Sequence, residues 1–137
     1  MRLELTRRGD YGVRAMLVLA REQGRVVSGN EIAVATGISG HFVTQVMGDL
    51  VRAGLVDARV GRAGGYRLAK APSEISVLSV VESIEGEARR RNCVLRATPC
   101  TWHGRCEVHE FFAAAQEAFA AKLREASLTD ALQEPQS

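Results

Sequence analysis

The three cysteines of the chain, Cys93, Cys100 and Cys106, all fall in one short stretch, and two of its three histidines, His103 and His109, fall in it or just beyond it. Thiolates bind soft metals and iron-sulfur clusters, and a segment carrying Pro99 and Gly104 can wrap a cluster without being committed to helix or strand. Arg89, Arg90, Arg91, Arg96 and Arg105 would offset the negative charge of a thiolate-ligated centre and lower the cysteine pKa values. An odd number of thiols is not a disulfide framework. Arg2, Arg7 and Arg8 ahead of an apolar run imitate an export signal, but Asp10 and Arg14 interrupt it and only residues 15–20 are unbroken. The expected location is therefore the cytoplasm, where thiols stay reduced, with no membrane partner. Three chemistries suit these residues. One is an iron-sulfur cluster, the second is structural zinc on Cys93, Cys100, Cys106 and His109, and the third is a metal-free thiol redox switch. His103 reads as loop surface.

Catalysis is not among them. The sequence has no nucleotide-binding glycine loop leading into a helix, no paired acid and base, and no nucleophile elbow. The glycines of residues 61–65 read as a hairpin turn, so no enzyme and no small-molecule substrate are expected beyond gases or oxidants reacting with a cluster. What must position the cysteines is a chain of 137 residues, 46% hydrophobic but only 5% aromatic, a balance that favours packed helices. Charge is uneven along it: residues 1–72 hold 11 Lys/Arg against 6 Asp/Glu, and residues 73–137 hold 7 against 10. A basic half joined to an acidic half suggests that the first meets a polyanion and the second does something else.

The basic half reads as a winged helix-turn-helix DNA-binding domain spanning residues 1–72. Thr6 can cap a helix with Val13, Met16, Leu17 and Ala20 on its apolar side, closed by Gly24. Ser28 with Glu31 forms a capping-box pattern opening a short helix that stops at Gly37. Ser39 caps the next, in which Phe42, Val43, Val46, Met47, Leu50 and Val51 recur at helical spacing until Gly54. Small Ala33 sits where the two helices must touch. Gly40, His41, Thr44 and Gln45 are left on the outer face of the second helix, where a recognition helix meets base edges; Ser28 and Ser39 stand at the helix starts beside them. Residues 55–60 and 66–68 read as strands of a β-hairpin wing. Its Arg59, Arg62 and Arg67 are placed to reach phosphates or a minor groove.

Residues 73–137 read as a cluster-binding loop and dimerisation region. Ser76 caps a helix carrying Val77, Val80, Val81 and Ile84 and ending near Gly86. From Glu107 to about Ala126 a long helix shows the stripe Val108, Phe112, Ala115, Phe119 and Leu123. Its nearly heptad spacing suits pairing with the same helix of a second chain, and a homodimer would present two recognition helices to a two-fold DNA operator.

Met1-Arg2-Leu3, the Asp10-Tyr11-Gly12-Val13-Arg14-Ala15-Met16 run, Thr36-Gly37-Ile38-Ser39, Arg52-Ala53-Gly54-Leu55, the residues 61–66 and the three-cysteine loop before a long helix together resemble the family of iron-sulfur winged-helix regulators that includes IscR and NsrR. The resemblance runs nearly end to end. It implies a dimeric transcription regulator, a repressor by preference, in which Cys93, Cys100 and Cys106 hold a [4Fe-4S] or [2Fe-2S] cluster and which senses nitric oxide, redox state or iron supply. The fourth ligand it implies is either Asp10 from the other subunit or His109 three residues past the last cysteine; the four-iron cluster with Asp10 is the favoured pair. Six residues separate Cys93 from Cys100 and five separate Cys100 from Cys106, where equal gaps of five are usual in those members. Thr44 replaces an acidic base-reading residue and Val60 a wing arginine, so the DNA sequence bound should differ.

Overall fold

The computed structural model describes residues 5–22, 24–86 and 107–133. Its elements run α1 (Arg7–Arg21), α2 (Gly29–Thr36), α3 (Gly40–Arg52), β1 (Val56–Arg59), β2 (Gly65–Leu68), a 3-10 turn (Pro72–Glu74), α4 (Val77–Glu85), α5 (His109–Glu125) and α6 (Leu128–Leu132). Four helices start at the hydroxyl caps that the sequence offers: Thr6 accepts from the Gly9 N–H, Ser28 from Glu31, Ser39 from Phe42 and Ser76 from Ser79. Each cap satisfies a donor that the helix itself leaves orphaned. At Ser28 the box is made in one direction only, because the Glu31 carboxylate is taken by Arg25 at 2.9 Å.

Helix α1 lies at the centre, packed against α2, α3, α4, α6 and β2. Its buried face is Gly9, Gly12, Ala15, Met16, Leu19 and Ala20, so Val13 and Leu17 of the expected stripe flank the core instead of filling it. The two glycines turn that face toward α4: a Cβ on Gly12 would collide with Ile84 Cδ1. Met16, Leu19, Ile32, Met47, Leu50, Val80 and Leu128 are fully buried in one cluster. Removing each such side chain from water is worth roughly 1.5–3 kcal/mol. Residues on both sides of position 72 thus share one core.

β1 and β2 pair antiparallel, Val56 opposite Leu68 and Arg59 opposite Gly65. Val27 and Tyr66 exchange two backbone hydrogen bonds of 2.8 Å, which ties the hairpin to the residues leading into α2. Only a glycine fits that junction, since a Cβ on Gly65 would collide with the Val27 carbonyl oxygen.

Helix α5 packs on α4 with Ala120 buried and Phe112, Gln116 and Leu123 half-buried. At 3.6 residues per turn these four share one side. The stripe expected from the sequence is therefore split. Phe112 and Leu123 face inward, while Val108, Ala115 and Phe119 are exposed together with Phe111, which is 77% accessible. Helix α6 is an element that periodicity does not announce; it buries Leu128 against the core and opens on a reciprocal capping box between Ser127 and Asp130. Among the described residues no helix is long and apolar enough to cross a membrane.

Candidate nucleic-acid interface

The turn between α2 and α3 is made by Gly37 in the left-handed region, φ +74°, followed by buried Ile38 and the Ser39 cap. A left-handed residue reverses the chain in the least space, and glycine takes that conformation without a Cβ penalty. Val43, Val46, Met47 and Leu50 anchor α3 in the core, and Gly40, His41, Thr44 and Gln45 stand exposed on the opposite side. Thr44 donates its hydroxyl to the Gly40 carbonyl at 3.0 Å. Gln45 Nε2 and His41 Nε2 lie 3.2 Å apart, one turn from each other. The His41 ring leans on Phe42, which in turn meets Tyr11 of α1 with ring centroids 5.7 Å apart. Through these interactions the outer row of α3 is held before any ligand arrives. Ser28 and Ser39 use a hydroxyl lone pair in capping, which leaves each hydroxyl proton able to donate.

On the hairpin, Asp57, Arg59 and Arg67 share the outward face, because Asp57 pairs with Arg67 and side chains alternate along a strand. Arg62 follows Gly61, φ +113°, in the turn, and Val60 at the tip is 98% accessible. Several arginines elsewhere are occupied, Arg8 and Arg52 by Asp49, Arg14 by Asp10, and Arg25 by Glu22 and Glu31, while Arg7 and Arg21 of α1 make no ion pair or hydrogen bond among the described residues. The last two carboxylates raise the Arg25 pKa further, Glu31 more than Glu22. Arg59, Arg62 and Arg67 make no ion pair or hydrogen bond among the described residues. The wing, which packs on α3 through β1, thus presents three uncommitted guanidinium groups, on a framework that can meet both base edges and phosphates.

Cys93, Cys100 and Cys106, with His103, lie outside the described residues, and among those described no group of three metal-ligating side chains is gathered. The two candidates for a fourth ligand are both described. Asp10 sits in the first turn of α1, its carboxylate 44% accessible and 3.0 Å from Arg14 Nε, on an open hollow of about 450 Å³ lined by Leu5, Thr6, Arg7, Asp10 and Tyr11. His109 is the exposed first residue of α5. An accessible carboxylate and an accessible imidazole both fit a donor set completed by three thiolates.

A helix-turn-helix on a three-helix core with a hairpin beside it is a winged-helix regulator of transcription. The chain belongs to the Rrf2 family, whose description is iron-dependent transcriptional regulator, and residues 5–134 match that family. It is 31% identical over 135 residues to the HTH-type transcriptional repressor NsrR of Streptomyces coelicolor, covering 97% of this chain and 90% of that protein. Among solved structures it resembles CymR (YrzC), the global cysteine regulator of B. subtilis, with a TM-score of 0.81, 25% identity, and coverage of 98% of this chain and 100% of the other. It also resembles T. potens IscR, with a TM-score of 0.72, 27% identity, and coverage of 98% and 94%. These relatives are regulators of transcription rather than enzymes.

What the sequence pattern does not reveal lies behind the interface. Asp49 holds Arg8 of α1 and Arg52 together, and Gly9 and Gly12 make room for the end of α4. Two glycines three residues apart in a helix were the available signal, since that spacing marks one face.

Proposed function

We propose that the protein is a cytoplasmic, homodimeric repressor that binds a two-fold DNA operator and whose binding is set by an iron-sulfur cluster. The observation that carries the DNA-binding part is the pairing of an exposed row on α3 with three unpaired arginines on one hairpin, whereas Arg8, Arg14, Arg25 and Arg52 are held by carboxylates. In this reading residues 1–72 contact DNA. His41, Thr44 and Gln45 read base edges, with Gly40 allowing close approach, and Ser28, Ser39, Arg59, Arg62 and Arg67 contact the backbone or minor groove. Residues 73–137 supply the cluster ligands and the dimer seam.

Cys93, Cys100 and Cys106 would hold the cluster, with Asp10 of the partner subunit or His109 as the fourth ligand and a [4Fe-4S] centre preferred to [2Fe-2S]. When bound, the cluster supplies a centre that nitric oxide, oxidants or iron shortage can alter. The chain's own part is to couple that change to the recognition helices, and a few kcal/mol in a two-state equilibrium moves DNA occupancy by orders of magnitude. The exposed His109, three residues past Cys106, favours a second reading, in which it completes a structural zinc site with the same thiols, or the thiols act without metal as a redox switch.

Anaerobic purification followed by visible absorption and iron and sulfide analysis tests the cluster. About four of each per chain, lost in Asp10→Ala and kept in His109→Ala, supports the favoured assignment, and about two of each with the opposite response supports the His109 form. A colourless, iron-free protein refutes the cluster. Salt-dependent binding to a duplex selected from a random pool by the full chain tests the DNA reading independently.

A further inference from the structure

We propose that the Glu85 carboxylate is a positioning group that fixes how α4 crosses α1, and thereby sets the separation of the two recognition helices on a two-fold operator; this rests on the dimeric DNA-binding reading above. Glu85 is the last residue of α4, and its Oε1 accepts the Thr6 N–H at 2.5 Å. Thr6 is the N-cap of α1, and its own hydroxyl accepts the Gly9 N–H at 3.0 Å. Its backbone N–H lies outside the helical ladder, so a carboxylate there satisfies a donor and places negative charge at the positive end of the helix. The fit is close. A Cβ on Gly9 would stand 2.5 Å from Glu85 Oε1 and 3.1 Å from its carboxyl carbon, and one turn on a Cβ on Gly12 would meet Ile84. The end of α4 therefore rests on a face of α1 cleared for it by two glycines.

The neighbours on either side turn this junction into a relay. On one side, α5 packs on α4, so α4 joins the exposed aromatic helix to α1 alongside α6, which follows α5 in the chain. On the other, Arg8 of α1 engages Asp49 of α3, whose carboxylate is only 16% accessible and is also held by Arg52. A dimer seam on α5 would thus be linked to the recognition helix through α4, the Glu85–Thr6 hydrogen bond, α1 and the Arg8–Asp49 pair. Apolar side chains along the same crossing can slide over one another. A carboxylate seated on a cap N–H fixes position and direction together.

The test uses full-length chain and duplexes in which half-sites taken from the selected operator are stepped apart by single base pairs, with a single half-site duplex as reference. The unmutated protein should prefer one spacing by about tenfold or more over its neighbours. In Glu85→Ala, and in Gly9→Ala, which keeps the carboxylate but displaces it, that preference should fall to within about threefold while half-site affinity stays within about twofold. Glu85→Gln, which keeps an acceptor oxygen, should retain most of the preference. Thermal melting identifies folded variants, and Gly9→Ala preserves the test if Glu85→Ala does not fold. Unchanged spacing preference in both displacing variants would overturn the inference, as would equal losses on operator and half-site, which would mean that Glu85 shapes α3 itself. An unmutated chain that binds no two-fold duplex better than a half-site would overturn the dimeric reading and this inference with it.

Discussion

Arg14, Arg25 and Arg52 are each held by a carboxylate three or four residues earlier in the chain, and Arg59, Arg62 and Arg67 are not held. A paired guanidinium must give up its carboxylate before it meets a phosphate, whereas an unpaired one gives up only water and counterions. Replacing Arg59, Arg62 or Arg67 by Ala should therefore lower the slope of log affinity against log salt by about one unit for each phosphate that is no longer neutralised. Arg25→Ala should leave the slope unchanged; a shallower slope for Arg25→Ala with none for the wing variants would remove the wing from the interface. Gln45→Ala should behave differently again. It should relax preference at one base position, by about 1–3 kcal/mol of discrimination, with little change in salt slope. At this scale the exposed row of α3 is legible in the sequence, because the inward residues Val43, Val46 and Met47 announce it by their spacing. That Arg8 is held is not legible, because its partner Asp49 lies across α1 and α3 and no periodicity records such a partner.

Helix α6 shows how a short element escapes a reading built on periodicity. It spans Leu128–Leu132, too few residues to display a helical stripe, and its only mark in the sequence is the Ser127-Leu128-Thr129-Asp130 cap. That cap also makes α6 sensitive to acid. The Ser127 N–H, and after it the Ser127 hydroxyl, hold the Asp130 carboxyl below its ordinary value. A lowered folded-state pKa means that the stabilisation is complete above the ordinary carboxylate pKa, about 3.9, and is lost as pH falls through the lowered value. Backbone amides of α6 should exchange faster in that acid window, and Asp130→Asn should remove the dependence, whereas Ser127→Ala, which keeps the N–H, should only weaken it while costing about 1 kcal/mol in thermal unfolding at neutral pH. Leu128→Ala should cost more, about 2–5 kcal/mol, because it opens a cavity under α1. Helix α5 carries the complementary lesson. Its heptad-like stripe is visible in the sequence, but 3.6 residues per turn place Gln116 and Ala120 on the inner side with Phe112 and leave Phe119 outside.

For the molecule as a whole, the order of the first helices and the wing is readable because the starts of α1 to α4 and the turns after α2 and in the wing are local events at a serine, threonine or glycine. The way α4 returns to α1 is not, because it depends on Gly9 and Gly12 meeting Glu85 and Ile84, which lie far along the chain from them. The face of α5 that remains, with Phe111 77% and Phe119 44% accessible beside Val108 and Ala115, is what a second copy would cover. In a two-fold seam every residue occurs twice, so one charged substitution places two like charges in the same buried patch. Phe111→Glu with Phe119→Glu should therefore shift sedimentation from dimer toward monomer by more than about tenfold in dissociation constant and make melting independent of protein concentration. Phe112→Ala, on the side facing α4, should instead lower the melting temperature, with a much smaller change in the dimer constant. The operator reading demands one more result. Monomeric Phe111→Glu/Phe119→Glu protein should keep its affinity for a single half-site and lose the added affinity of the two-fold duplex, because linking two binding heads raises their effective concentration without adding an interaction to either. If that variant stays dimeric, the exposed aromatic face of α5 is not the seam. If it becomes monomeric and binds the full operator undiminished, the two recognition helices do not act as a pair.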